Sequence, residues 1–195
     1  MQYYRTFESF AGEAAILGVL KQRLARDFAD YAAANDLDLT DEGDADWEFE
    51  EFLSREQNLR VVEPGLVEFS EYEPRLDSLL RDLPVLLYHY TSSSLAAAIK
   101  VEGLLAGRVV SNPHENSVAG VYLTCEYGGP AVQGYWRNAV SEHDGDGVRV
   151  FVRAYLRDLS PDPDDAGIQS GKYQFICDKV DPADILAIKP LHEYL

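Results

Sequence analysis

The segment Val85-Leu86-Leu87-Tyr88-His89-Tyr90-Thr91 constrains this chain more than any other. It is apolar and rich in aromatic residues, it stands directly behind Pro84, and it runs into Ser92-Ser93-Ser94 and a helix-patterned stretch. Aromatic and aliphatic side chains of this kind suit a pleated, buried surface. The pattern therefore predicts a strand that stops where polar side chains begin, with His89 at its mouth. A histidine in that place is either satisfied structurally by a neighbour or placed for chemistry, and the rest of the chain has to separate the two.

A chain of 195 residues, 46% of them hydrophobic and including 12 Tyr and 8 Phe, is long enough for one substantial core, or a core with an accessory layer. Cys125 and Cys177 both lie in apolar runs, which predicts buried thiols in a reducing compartment rather than a disulfide. No N-terminal apolar region precedes a small-residue cleavage site, and no apolar run approaches the length of a bilayer span. The expectation is a cytoplasmic protein without membrane contact, with secretion as an effector left open.

Charge is unevenly spread. Residues 1–84 carry 8 Lys/Arg against 20 Asp/Glu, net −12, whereas residues 85–195 carry 9 against 14, net −5, within a total of −17. A phosphate backbone requires compensating cations, so this acidity argues against extended nucleic-acid binding and leaves room only for a small local basic pocket. Solubility is the simpler account of the acidity, ahead of a specific basic partner.

Within residues 1–84, Leu17, Leu20, Leu24, Phe28 and Tyr31 fall at three-and-four spacing and predict one amphipathic helix from Phe10 to Tyr31. A polar stretch from Asn35 to Asp46 reads as a loop. Asp46 is then placed to cap a second helix bearing Phe49, Phe52 and Leu53 on one face. Val61-Val62 and Leu66 to Phe69 flank Pro64-Gly65 as two short extended pieces around a turn. Pro74 is expected to open a further helix lined by Tyr72, Leu76, Leu79, Leu80 and Leu83. No catalytic cluster is visible in this mostly helical, acidic segment.

Residues 85–195 have another rhythm. Ser92 or Ser93 can cap a helix in which Leu95, Ala98 and Ile99 face inward, with Gly103 at its exit. Gly120 to Thr124 reads as a short strand, and Gly128-Gly129-Pro130 as the start of a helix carrying Val132, Tyr135, Trp136 and Ala139. Val148, Val150, Val152 and Ala154 alternate with Arg149, Phe151, Arg153 and Tyr155, a long strand with one apolar face. Lys172 to Cys177 and Ile185 to Ile188 are expected as closing strands around Asp181-Pro182. Few crossovers are long enough for a parallel sheet, so the fold class is α+β. Asp162, Asp164, Asp165 and Gly167 lack the spacing and closing glutamate of a calcium loop.

His89-Tyr90-Thr91 at a strand end, Gly120-Val121-Tyr122-Leu123-Thr124 in a second strand, and Tyr173-Gln174-Phe175 ahead of Asp181-Pro182-Ala183-Asp184-Ile185 stand in a telling order. In that order the segment resembles the ADP-ribosyltransferase family of the His-Tyr-Glu type, to which diphtheria toxin and poly(ADP-ribose) polymerases belong. The resemblance covers about residues 85–189. It implies a split, antiparallel-rich α+β core at 85–195, with 1–84 as a separate accessory segment, and NAD as co-substrate without a metal.

The resemblance also implies roles. His89 matches the histidine that hydrogen-bonds the adenosine ribose, with the Tyr90 backbone placed for the nicotinamide amide. Tyr122 matches the tyrosine that stacks on the nicotinamide ring, and Tyr135 offers a looser second wall. Thr91 and Thr124 add hydroxyls. The family glutamate falls at or near Gln174, where this chain departs from the pattern. Glutamine can hydrogen-bond a ribose hydroxyl but brings neither a negative charge nor a base. Chain elongation is thereby disfavoured, and three outcomes stay open: transfer of one ADP-ribose to a protein or nucleotide target, NAD hydrolysis, or NAD binding without turnover. Glu126 and Glu115 are alternative carboxylate donors. A toxin-like enzyme would also call for a neutralising or regulatory partner. The rival reading is a catalytically silent nucleotide-binding or protein-interaction module. A 2′-phosphotransferase would need Arg and His residues around a phosphate, which this chain does not supply beyond Arg149 and Arg153.

Overall fold

The computed structural model describes residues 7–106, 120–125, 147–161 and 175–191. Its class is α+β, and the chain divides into two compact units, Met1–Pro84 and Val85–Leu195. No helix among the described residues is long and apolar enough to cross a membrane.

The first unit opens with two helices, not the single one that the spacing predicts: α1 (Phe7–Arg23) and α2 (Ala25–Ala34). Leu24 between them leaves helical geometry at φ −104 and ψ 13. The bonds Leu24 N→Leu20 O and Phe28 N→Leu24 O, both 2.9 Å, nevertheless persist across it. The apolar stripe therefore bends without breaking, and it is carried by Ile16, Leu20 and Leu24. Helix α3 (Glu42–Glu56) begins earlier than expected. Its cap is Asp41, whose side chain accepts from Gly43 N at 2.8 Å, while Asp46 lies inside the helix and pairs with Lys21. Starting at 42 places the acidic run in the first turns, where the helix dipole favours it.

Phe49, Phe52 and Leu53 on α3 are at most 2% exposed, and each buried side chain of this size contributes roughly 1.5–3 kcal/mol. Phe28 meets Phe49 edge-on at 5.1 Å, and Tyr31 meets Phe52 at 5.2 Å. Strands β1 (Leu59–Val62) and β2 (Leu66–Phe69) form the hairpin around Pro64-Gly65, with Leu59 opposite Phe69. Gly12 is required here, because a Cβ on it would lie 2.9 Å from the Pro64 carbonyl oxygen. Helix α4 is only Leu76–Leu79. Helical geometry ends at Leu80, with φ −110 and ψ 7, and Leu83 is kept out of it by Pro84, although Leu80 and Leu83 stay buried.

In the second unit, β3 (Val85–Ser92), β6 (Gly147–Ala154) and β10 (Ile185–Pro190) pair antiparallel with β6 in the middle. Strand β3 extends three residues beyond His89. After a 3-10 turn at Ser93–Leu95, capped by Ser92, comes α5 (Ala96–Glu102). Ile99 is buried. Leu95, which lies in the tighter turn, falls out of line with it, and Ala98 stands about 100° around α5 from it; both are exposed, although expected inside. Gly103 has φ +81, and a Cβ there would run into the Val180 carbonyl. Strand β4 (Leu104–Leu105) pairs with β9 (Lys179–Val180). Strand β5 (Val121–Leu123) pairs with β8 (Phe175–Cys177), which also pairs with β7 (Ser160–Pro161). Strand β6 has the apolar face expected of it, with Val148, Val150 and Val152 buried, and its opposite face is covered as well at Arg149, 2% exposed.

Candidate functional site

Residues 88–90 mark a fork. Tyr88 N donates to Thr124 O at 2.8 Å and Thr124 N to Tyr88 O at 2.9 Å, a single bridge between β3 and the end of β5. In a regular antiparallel ladder the next rung would join Tyr90 to Tyr122. Instead the Tyr122 carbonyl lies 3.0 Å from Nδ1 of His89. The imidazole occupies the place of a ladder bond, and the two strands part there. Strand alternation turns the backbone N–H and C=O of Tyr90 to the same edge as those of Tyr88, the edge toward β5.

The two faces of β3 do different work. His89 lies opposite Val150 and Thr91 opposite Val148, so both share a face with the buried valines of β6. Tyr88 and Tyr90 lie on the other face with Arg149 and Phe151. There Arg149 Nε donates to the Tyr90 hydroxyl at 3.1 Å, and its guanidinium sits 5.4 Å from the Tyr90 ring and 5.8 Å from the Tyr88 ring. Phe151 meets Tyr88 edge-on at 5.4 Å.

His89 is half-buried, and desolvation pushes its imidazole below the ordinary value of 6.5, with the Tyr122 carbonyl opposing in part. A carbonyl can only accept, so Nδ1 carries the proton and Nε2 of the neutral ring presents a lone pair. Because the folded value is depressed, the unfolded chain binds the extra proton more readily. The contribution of neutral His89 to stability is full above 6.5 and is lost as pH falls through the folded value. A ¹H–¹⁵N titration of the imidazole is expected to show that depressed value. His89→Gln should flatten the corresponding part of the urea-midpoint-versus-pH curve, and a value at or above 6.5 would contradict the arrangement.

Of the residues singled out in the sequence, the fold brings His89, Tyr90, Thr91, Tyr122 and Thr124 together around the fork. Tyr122 is half-buried, whereas Thr124 is 1% exposed. Gln174 and Tyr135 lie outside the described residues, as do Glu115 and Glu126. Cys125 and Cys177 are free thiols. Cys177 donates to Val121 O, and burial, with Asp178 nearby, pushes its thiol up to about 11, which keeps it protonated and unreactive. Arg149, read from the sequence as a side chain on the polar face of its strand, is enclosed. Its only signal was a polar side chain in a valine-rich strand.

Compared with known proteins, the chain matches no protein-family model and none of the curated proteins.

Proposed function

We propose that residues 85–195 bind NAD and transfer its ADP-ribose to a macromolecular or nucleotide target, as a mono-ADP-ribosyltransferase of toxin or effector type with accompanying NAD hydrolysis. The observation that carries this reading is the meeting of His89 and Tyr122 at the fork, with Nδ1 3.0 Å from the Tyr122 carbonyl. Cleavage of the nicotinamide–ribose bond develops positive charge on the ribose, so a competent site must hold the sugar, fix the carboxamide and keep the leaving ring flat. Nε2 of neutral His89 is an acceptor for a ribose hydroxyl. The Tyr90 backbone faces the β5 edge, where the resemblance puts the nicotinamide carboxamide. The Tyr122 ring is of the kind that stacks on a planar pyridinium.

A calorimetric NAD titration, run together with a nicotinamide-release assay, tests the reading. His89→Ala and Tyr122→Ala are each expected to weaken NAD binding at least about tenfold, roughly 1.4 kcal/mol. Absence of both binding and release in the unmodified protein ends the proposal.

One feature favours a second reading, a catalytically silent NAD-binding or interaction module: Gln174 stands where the resemblance calls for a glutamate. NAD binding with no release of nicotinamide would select it.

A further inference from the structure

Helix α3 buries one face and leaves another that is not simply solvated. Trp47, Glu50, Glu51 and Ser54 follow the i, i+3, i+4, i+7 spacing of a single helical stripe. They line a groove of about 180 Å³ whose opposite wall is β1, at Arg60. Trp47 is 61% exposed, although Phe49, two residues on, is fully enclosed. The volume is below the range of small-molecule pockets and suits one side chain.

The charges in the groove select the occupant. Arg60 is held by Glu68, with Nε at 3.1 Å and Nη2 at 2.5 Å from the same carboxylate oxygen, and Glu51 pairs with Arg55. Glu50 makes no ion pair among the described residues and stands one turn from the indole. The unit around it carries net −12. A second copy of the same surface, a phosphate backbone and an anionic bilayer are all repelled by such a field. A guanidinium is drawn in, because it can lie on the indole face while bonding to a carboxylate.

We propose that this groove docks an arginine of a basic partner protein, the guanidinium stacking on Trp47 and bonding to Glu50. The surface is independent of the NAD-binding reading.

The probe is the capped peptide acetyl-Arg-Gly-Arg-Gly-Arg-amide, titrated into the full chain and followed by ¹H–¹⁵N spectra. The Trp47 indole resonance is assigned by its loss in Trp47→Phe. Saturable shifts are expected at that indole and at the Glu50 and Ser54 amides, and none with the citrulline-substituted peptide. Trp47→Ala, which leaves the charge unchanged, should weaken binding at least about tenfold, and Trp47→Phe, which keeps a ring, by only about threefold. Glu50→Gln should weaken it about threefold, while Glu71→Gln, the same charge change away from the groove, should leave it unchanged. The proposal is overturned by an absence of saturable shifts, by Trp47→Ala binding as tightly as the unmodified chain, or by equal losses in Glu50→Gln and Glu71→Gln. Either of the last two would mean diffuse attraction to an acidic protein. Unchanged amide spectra away from the groove show that each variant is folded.

Discussion

Arg149→Ala is expected to destabilise the second unit by about 2–5 kcal/mol, the range for truncating a large, fully packed side chain to alanine. The guanidinium is 2% exposed, bonds the Tyr90 hydroxyl and lies against two tyrosine rings. Alanine removes these contacts together and leaves space that β6, paired on both edges to β3 and β10, cannot collapse to fill. Arg149→Met, similar in length and free of charge, should cost less than half as much, because its thioether chain keeps the packing between Tyr88 and Tyr90. Tyr90→Phe, which removes only the hydroxyl, should cost about 1–2 kcal/mol. Urea midpoints at constant m-value give the series. A loss below about 1 kcal/mol for Arg149→Ala would show that the arginine is not a packing element of β6.

Gln174→Glu is expected to raise nicotinamide release about 100-fold, the low end of what a positioned general base or charge stabiliser supplies. Within the proposed reading, the amide at 174 can hold a ribose hydroxyl in the ground state but offers no negative charge to the cation that develops as the glycosidic bond lengthens. The carboxylate supplies that charge with one atom changed, so NAD affinity should move little while turnover rises. Gln174→Ala, carried in parallel, should not gain. No gain in Gln174→Glu, together with measurable release in the unmodified protein, would place the carboxylate elsewhere. Loss of release in Glu126→Gln or Glu115→Gln would then locate it.

Much of the fold was legible in local pattern. Alternating valines located the β6 strand, Pro64-Gly65 between apolar pairs located the hairpin, and an aromatic run behind Pro84 located the strand bearing His89. These signals depend on a few neighbouring residues and on side-chain periods of two or 3.6. Boundaries were less legible. Asp41 and Asp46 are equally able to cap by residue type, and in the fold Asp41 accepts from Gly43 N while Asp46 pairs with Lys21 of α1. Leu95 turned outward because it lies in the 3-10 turn and so falls out of line with Ile99 on the helix that follows.

The sequence by itself therefore determined an acidic, α+β chain with a histidine near the end of a buried strand and a tyrosine in a second strand. Only the tertiary structure decided that His89, 33 residues from Tyr122, takes the carbonyl of that tyrosine and forks the strands, and that Arg149 is enclosed by Tyr88 and Tyr90. Both depend on register between strands remote in the chain. Register is set by the sum of packing across the whole sheet, and a side-chain period, being local, carries no record of which strand lies alongside.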